Sequence, residues 1–516
     1  MILSIGFLVS CSRSDDPVKP DPKPEPPVTE TADKTNDFVW RALNSWYYWQ
    51  PNVPNLADAK RTNLSEYVKI VNGVTPDKLF YSLLYEYPDK DQFSWIENNN
   101  EIVKSASFVA EVEKLSGIEV ALFQKGGGSS NYVALVNYVI PNSSADQKGI
   151  KRGDVITKVN GSHLTSSNYN ALFSDSFSIT RAETASSNVV GGYYVITTTD
   201  RDENISISKS DIDENPIAHY QVFNMGGKKI GYLVFNGFKI DYNDELNQQF
   251  LQMKNDGISE LILDLRYNGG GSLDTALGLA QMINGSYTGQ EYVYLDFNDK
   301  HNAYDSYDKL KSTIDIYNIV NGHAEKTGEV QPINSLTLPK IYALVSFQTA
   351  SASELTVTSL QERISVETIG YYTVGKFVGS HTLYDSPNDD FMSYENRSKD
   401  HNWKLQPITF AYYAKKGGTH PTYKSGGVEY VGILPPDGNL VHPYEWVGKV
   451  KEFGNTSDPE LALALEKITG TNPNASAKSR IGAVLSARAD EGRLISKPVS
   501  ASKGLYIQDM KRIINK

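Results

Sequence analysis

Ser351 lies in the run Thr349-Ala350-Ser351-Ala352-Ser353-Glu354, where an apolar, β-branched stretch at 341–347 gives way to small residues and then to helical character. That pattern predicts a strand, a tight turn and a helix start. Small residues at such a turn let a substrate carbonyl approach the backbone, and the free N–H groups of a helix N-terminus face developing negative charge. A serine there is placed for nucleophilic chemistry. After a second apolar run, Lys376 stands between Gly375 and Phe377 in a loop from which its amine can fold back toward the serine. Each part alone also has a plain structural reading: TASASE as a capped helix with Ser351 or Ser353 bonding the backbone, the lysine as a solvated charge.

The elements that must hold these residues begin near Lys228. KKIGYLVFNGF reads as a strand, DELNQQFLQMKNDG as a helix closed by Gly257, and residues 261–265 as a buried strand. Arg266-Tyr267-Asn268-Gly269-Gly270-Gly271 follows, and then a helix, LDTALGLAQMI. Repeated β-α units imply a largely parallel sheet with ligands at the carboxyl ends of its strands. The glycine tract at 269–271 and the serine tract at 349–353 both follow buried strands and open helices, so both are expected on one crevice. Asp264, inside an apolar strand, is a structural partner for Arg266 or a backbone cap.

At 516 residues the chain is expected to hold two to four domains. A net charge of -11 with no basic block argues against nucleic acid as a partner. One cysteine excludes a disulfide framework and a multi-thiolate zinc site, and the histidines show no HExxH-like spacing; neither metal nor cofactor is expected.

That cysteine is Cys11, and Leu8-Val9-Ser10-Cys11 after a short apolar run resembles the lipobox of bacterial lipoproteins, cut before a lipidated cysteine. Ser14-Asp15-Asp16 is similar to the acidic export tag of some Bacteroidetes lipoproteins. Residues 12–35, rich in Pro and charge, read as an extended tether. Residues 36–107, dense in aromatics with a helix start at Thr75-Pro76-Asp77, read as a small, mostly helical N-terminal domain. From 108 to 209 short strands flank the turn Gly126-Gly127-Gly128, and PNSSADQKGIKRGDVITKVNG (141–161) closely resembles a segment of a PDZ domain. A PDZ domain adds an extended peptide to a sheet edge and caps its carboxylate with backbone N–H groups. By that resemblance Gly117, Ile118, Glu119 and Val120 form the carboxylate loop and peptide-binding strand. The core is expected over 210–470 and a peripheral tail over 471–516.

DLRYNGGG, TASASE, the GK pair with its lysine 25 positions after Ser351, GGVEYVGILPPD (426–437) and GNTSDPELALAL (454–465), in this order behind a PDZ-like segment, resemble the carboxy-terminal processing (tail-specific) serine peptidases over roughly 108–470. The resemblance implies a multidomain α/β protein whose peptidase core is a crotonase-like β/α unit with a parallel sheet. It matches Ser351 to the nucleophile and Lys376 to the general base. A lysine takes a proton near pH 7 only when neutral, so its reference pKa of ~10.4 must fall by about three units through burial. The N–H of Ala352, with that of Gly270 or Gly271, would form the oxyanion hole. The chain departs from the family four positions after the lysine, where a glutamine or glutamate commonly orients the amine and this sequence has Ser380. Ser380 can bond the amine through its hydroxyl, and His381 is a rival base. The implied function is a serine endopeptidase on protein or peptide substrates, lipid-anchored in the cell envelope at the outer membrane, on its periplasmic or surface face. A noncatalytic binding protein on the same scaffold, of which the eye's retinoid-binding repeats are relatives, and a PDZ-based envelope scaffold are the alternatives.

Overall fold

A sheet whose central strands are buried on both faces organises the core. Ile217–Met225, Lys228–Phe235, Glu260–Asp264, Lys340–Val345 and Ser365–Gly370 form a five-stranded sheet in that spatial order, the first pair antiparallel and the rest parallel. Alternate residues face opposite sides. Leu261, Leu263, Ile341, Ala343 and Val345 face helices Asn243–Asp256, Leu273–Ile283 and Ala352–Gln361, whereas Ile262, Tyr342 and Leu344 face helix Pro459–Thr469. Gly257, at φ 68°, closes the first helix in the left-handed conformation that the sequence suggested. The computed structural model describes residues 31–98, 113–126, 128–320, 323–425, 428–471, 473 and 505–506. Cys11, nearly all of the 12–35 tether, Gly127, Gly426, Gly427 and most of the 471–516 tail lie outside the described residues.

A second five-stranded sheet was not visible in the sequence. It runs in the order Ser306–Lys309, Glu291–Phe297, Ile408–Tyr413, Val378–Ser380 and Leu505–Tyr506. Lys376 leads into the short strand Val378–Ser380, so the serine and lysine turns come from different sheets.

The N-terminal helices Lys34–Trp46, Asp58–Thr62, Leu64–Val71 and Pro76–Ser82 do not pack as a separate body. Phe38, Trp40, Leu43, Trp46, Tyr47 and Phe80 belong to the same buried cluster as Leu263, Ile341 and Phe410. The backbone N–H of Tyr48 donates to Ile408 O at 2.9 Å, and strand Trp95–Asn98 pairs antiparallel with Trp403–Gln406. The 385–402 loop rests here too: Trp46 Nε1 donates to Asp390 O, and His401 stacks on Phe38.

The PDZ-like segment is built on a sheet in which Ile118–Gln124 is the edge strand, paired among the described residues with Tyr132–Val139 alone. It joins the core through an apolar seam in which Phe123, Val133 and Val155 meet Tyr267, Tyr444 and Trp446. Within the seam, Arg152 bonds Tyr267 Oη (2.6 Å), Lys451 O (2.7 Å) and Asp458 (3.0 Å). Arg266, fully buried, joins Asp264, Asp458 and Glu460 at 2.7–2.9 Å, confirming Asp264 as its structural partner. Among the described residues no helix is long and apolar enough to cross a membrane, and no group of three or more His, Cys, Asp and Glu is placed to hold a metal.

Candidate active site

Strand Lys340–Val345 ends in a turn that is pinned to the neighbouring strand's exit. Thr349 Oγ1 donates to Leu265 O (2.8 Å), the N–H of Ala350 to Asn268 O (3.1 Å) and Ser353 Oγ to the same carbonyl (3.0 Å). These bonds bring the two predicted tracts onto one crevice. Ser351 then adopts φ 60°, ψ -114° as the N-cap of helix Ala352–Gln361. A non-glycine residue at positive φ stores strain that the surroundings must hold, and such residues concentrate at functional sites. Ser351 is fully buried.

The glycine tract serves this turn by its missing side chains. A Cβ on Gly270 would sit 2.9 Å from both Ala352 N and Ser351 Cβ, and one on Gly271 would sit 2.4 Å from Phe238 O. Gly270 is therefore what lets the two loops meet. Its N–H donates to Asn268 Oδ1 at 2.9 Å, which corrects its candidacy as an oxyanion donor. The N–H groups of Ala352 and Gly271 have no acceptor among the described residues, so these two are the donors available to a substrate oxygen.

Glu354 ties the serine turn to the lysine turn. Its buried carboxylate accepts from the backbone N–H of Ser351 (2.8 Å), Gly375 (2.7 Å) and Lys376 (2.9 Å), and from Thr373 Oγ1. Burial nevertheless pushes its pKa up to about 7, the hydrogen bonds opposing that rise. Tyr412, on strand Ile408–Tyr413, donates to Lys376 O at 2.6 Å and lies within hydrogen-bonding reach of the Ser351 hydroxyl. The Lys376 amine is buried with the ring of Phe93 4.8 Å away. Burial lowers its pKa to about 8, while the carboxylates of Asp91 and Glu354 act in the opposite sense. A lysine in this state is neutral in a substantial fraction near physiological pH, as proton abstraction requires.

Ser380 and His381 are placed otherwise than expected. Ser380 Oγ accepts from Gln406 Nε2 at 2.9 Å, so its described partner is an amide on another strand rather than the Lys376 amine. His381 points into the N-terminal helices: Nδ1 meets Thr409 Oγ1 at 2.9 Å, and its ring meets Trp46 edge-on at 4.4 Å. Burial drives its pKa down to about 3, leaving it a neutral structural group. Glu354 stood in the quoted motif without a role. Tyr412, Asp91 and Phe93 gave no local signal, because only the tertiary fold brings them to the site.

In the PDZ domain, Gly117 (φ 88°) turns beneath Ser143, with no room for a Cβ, and its carbonyl accepts from Ile140 N at 2.9 Å. Ile118 and Val120 are half-buried beside Tyr169, and Glu119 follows the turn on the same edge strand.

The Peptidase family S41 model matches residues 229–421, the Peptidase S41 N-terminal domain model residues 34–95 and the PDZ domain model residues 135–171. A "CtpA-like serine protease" of Staphylococcus aureus (strain MRSA252), so named with the qualifier "Probable", is 26% identical over 66% of this chain and 55% of its own length. A "Carboxyl-terminal-processing protease" of Picosynechococcus sp. is 24% identical over 52% of each chain. The chain thus spans about half the length of the curated relatives it matches. A crystal structure named "Putative S41 protease from Bacteroides fragilis NCTC 9343" shares the fold with a TM-score of 0.58 and 21% identity, covering 84% of this chain and 97% of that one. In chain order around the Ser351 turn, the N-terminal unit, the PDZ segment and the core thus match the peptidase S41 N-terminal domain, a PDZ domain and peptidase family S41.

Proposed function

We propose that this protein is a serine endopeptidase in which Ser351 is the nucleophile and Lys376 the general base. The observation that supports it most is the buried Lys376 amine, held near pKa 8, on a turn stapled by Glu354 to the strained serine turn. Lys376 takes the Ser351 proton as Oγ attacks the peptide carbonyl, and passes it to the leaving amine. The N–H groups of Ala352 and Gly271 receive the oxyanion, each such donor being worth about 3–4 kcal/mol of barrier. Water, deprotonated by the same lysine, then releases the acyl group.

The edge of Ile118–Gln124, unpaired among the described residues and preceded by Gly117, suits addition of a substrate's C-terminal segment as an extra strand, with Gly117–Val120 meeting its end. Substrates are accordingly proteins or peptides presented by their C-terminal region. The lipobox-like Cys11 supports attachment to the cell envelope at the outer membrane by a lipid. Loss of membrane partition in Cys11→Ser would support this; unchanged partition would refute it.

Degradation of β-casein by the unmodified protein, Ser351→Ala and Lys376→Ala tests the catalytic reading. Activity in the first alone supports the dyad. An inert unmodified protein that still binds C-terminal peptides would make it a binding protein on a peptidase scaffold, and activity lost in His381→Ala but retained in Lys376→Ala would transfer the base role.

A further inference from the structure

The side chain over the Lys376 amine comes from the far end of the sequence. Phe93 lies in the turn that closes the N-terminal helical unit, and its ring centroid is 4.8 Å from Lys376 Nζ. The turn is shaped by Asp91, whose fully buried carboxylate accepts from Phe93 N (3.1 Å), Ser94 N (3.0 Å), Ser94 Oγ (2.5 Å) and Tyr47 Oη (2.7 Å). Ser94 Oγ in turn accepts from the N–H of Ile408, on the strand that pairs with Val378–Ser380 just after the lysine. A four-bonded carboxylate, a docked serine and an aromatic face thus form one rigid piece against the amine.

We propose that the turn 91–94 of the N-terminal unit is the positioning element of the catalytic lysine: Phe93 excludes water from the amine and offers its cation a π face, and Asp91 supplies counter-charge through space. The inference rests on the reading of Lys376 as the base. Ser380 is engaged by Gln406, which leaves the N-terminal turn as the described aromatic neighbour of the amine. The charged and titratable groups facing Lys376 are Asp91 from this turn and Glu354 from the serine helix; Tyr412, on the adjoining strand, bonds its carbonyl. A cation close to an aromatic face is stabilised, a carboxylate stabilises it further, and exclusion of water destabilises it. Both carboxylates raise the affinity of the amine for its proton, whereas burial, the larger effect, lowers it.

The two parts of the turn therefore predict opposite changes in the pH dependence of kcat/KM for β-casein cleavage by the full chain. Asp91→Asn removes counter-charge and moves the acid limb down by about 0.5–1 pH unit. Phe93→Ala admits water and moves it up by a similar amount. Both lower the plateau rate by about 3- to 30-fold through loss of positioning. Phe93→Leu, which keeps apolar volume, recovers most of the limb position but not the plateau. A purely structural turn would change the thermal midpoint and the amount of active enzyme without moving either limb.

Folded Asp91→Asn and Phe93→Ala variants with the unmodified limb would overturn the inference while leaving the dyad intact, provided Lys376→Ala is inactive. Activity in Lys376→Ala would overturn the dyad itself. Should Asp91→Asn fail to fold, the two Phe93 variants decide. An unmodified protein that is folded and inert on casein overturns both readings.

Discussion

Ser351 and Lys376 donate their backbone N–H groups to the same oxygen, Oε2 of Glu354, at 2.8 and 2.9 Å. The nucleophile's turn and the base's turn are thereby held in register by their main chains, independently of what their side chains do. A glutamine at 354 keeps one acceptor oxygen and turns an NH2 group toward donors. Glu354→Gln is expected to lower kcat by about 10- to 100-fold and stability by about 1–3 kcal/mol, the range for unsatisfied buried donors. Steady-state kinetics beside urea unfolding would check both; a variant that loses stability at full kcat would show that the shared oxygen does not set the site's geometry.

Lys376 also makes stability depend on pH. Its folded pKa, about 8, lies below the ordinary 10.5, so its contribution is present above the unfolded value and lost as pH falls through about 8. Below pH 8 the native state must hold a proton it disfavours. Lys376→Met should therefore be more stable than the unmodified protein at pH 6 by about 2–3 kcal/mol, with the gain shrinking toward pH 10.5. In the unmodified enzyme kcat/KM should rise with pH through about 8, because the base works only when neutral. Equal stability differences at pH 6 and 10 would rule out a depressed lysine.

Gly270→Ala tests the close approach of the two loops. Its methyl group would meet the Ala352 nitrogen and the Ser351 Cβ at 2.9 Å, contacts that only a shift of the serine turn relieves. The backbone at φ 106° adds strain for any side chain. Activity should drop by more than about 100-fold, since displacements near 1 Å cost that much. The measurement is kcat on casein with circular dichroism to establish the fold, and near-normal kcat would mean that the glycine is dispensable.

Arg152 joins the PDZ domain to the core through Asp458, which Arg266 also holds. Arg152→Met leaves Asp458 paired but removes the bonds to Tyr267 and Lys451. A loss of about 2–4 kcal/mol and a separate early melting transition for the PDZ domain are expected in calorimetry. A single transition at the unmodified temperature would mean the apolar contacts alone hold the seam.

The serine and glycine tracts were legible because each is a local pattern: a buried strand, small residues, then a helix whose period is plain. The parallel sheet followed from the same alternation, and Asp264 with Arg266 from their nearness in the chain. The second sheet, into which Lys376 leads, was not, since Val378–Ser380 is too short for a pattern and pairs with a strand about thirty residues away. Nor were the roles of neighbours. Ser380 lies four positions from the lysine, yet Gln406 takes its hydroxyl; His381 is titratable, yet its setting between Trp46 and Thr409 keeps it neutral. Such outcomes depend on which side chains arrive from elsewhere, and the sequence records that only through the whole fold.

The bond between Ser94 and Ile408 spans 314 positions. During synthesis the aromatic turn leaves the ribosome long before the strand it docks on exists. At elongation rates of about 5–20 residues per second, tens of seconds separate the two. The serine and lysine turns emerge before strand Ile408–Tyr413 has been made, so a nascent or C-terminally broken chain holds both reactive groups without a closed pocket around the amine. If Ser351 and Lys376 act as a dyad, proteolytic competence in this way waits on strand Ile408–Tyr413 and not on the two reactive side chains alone.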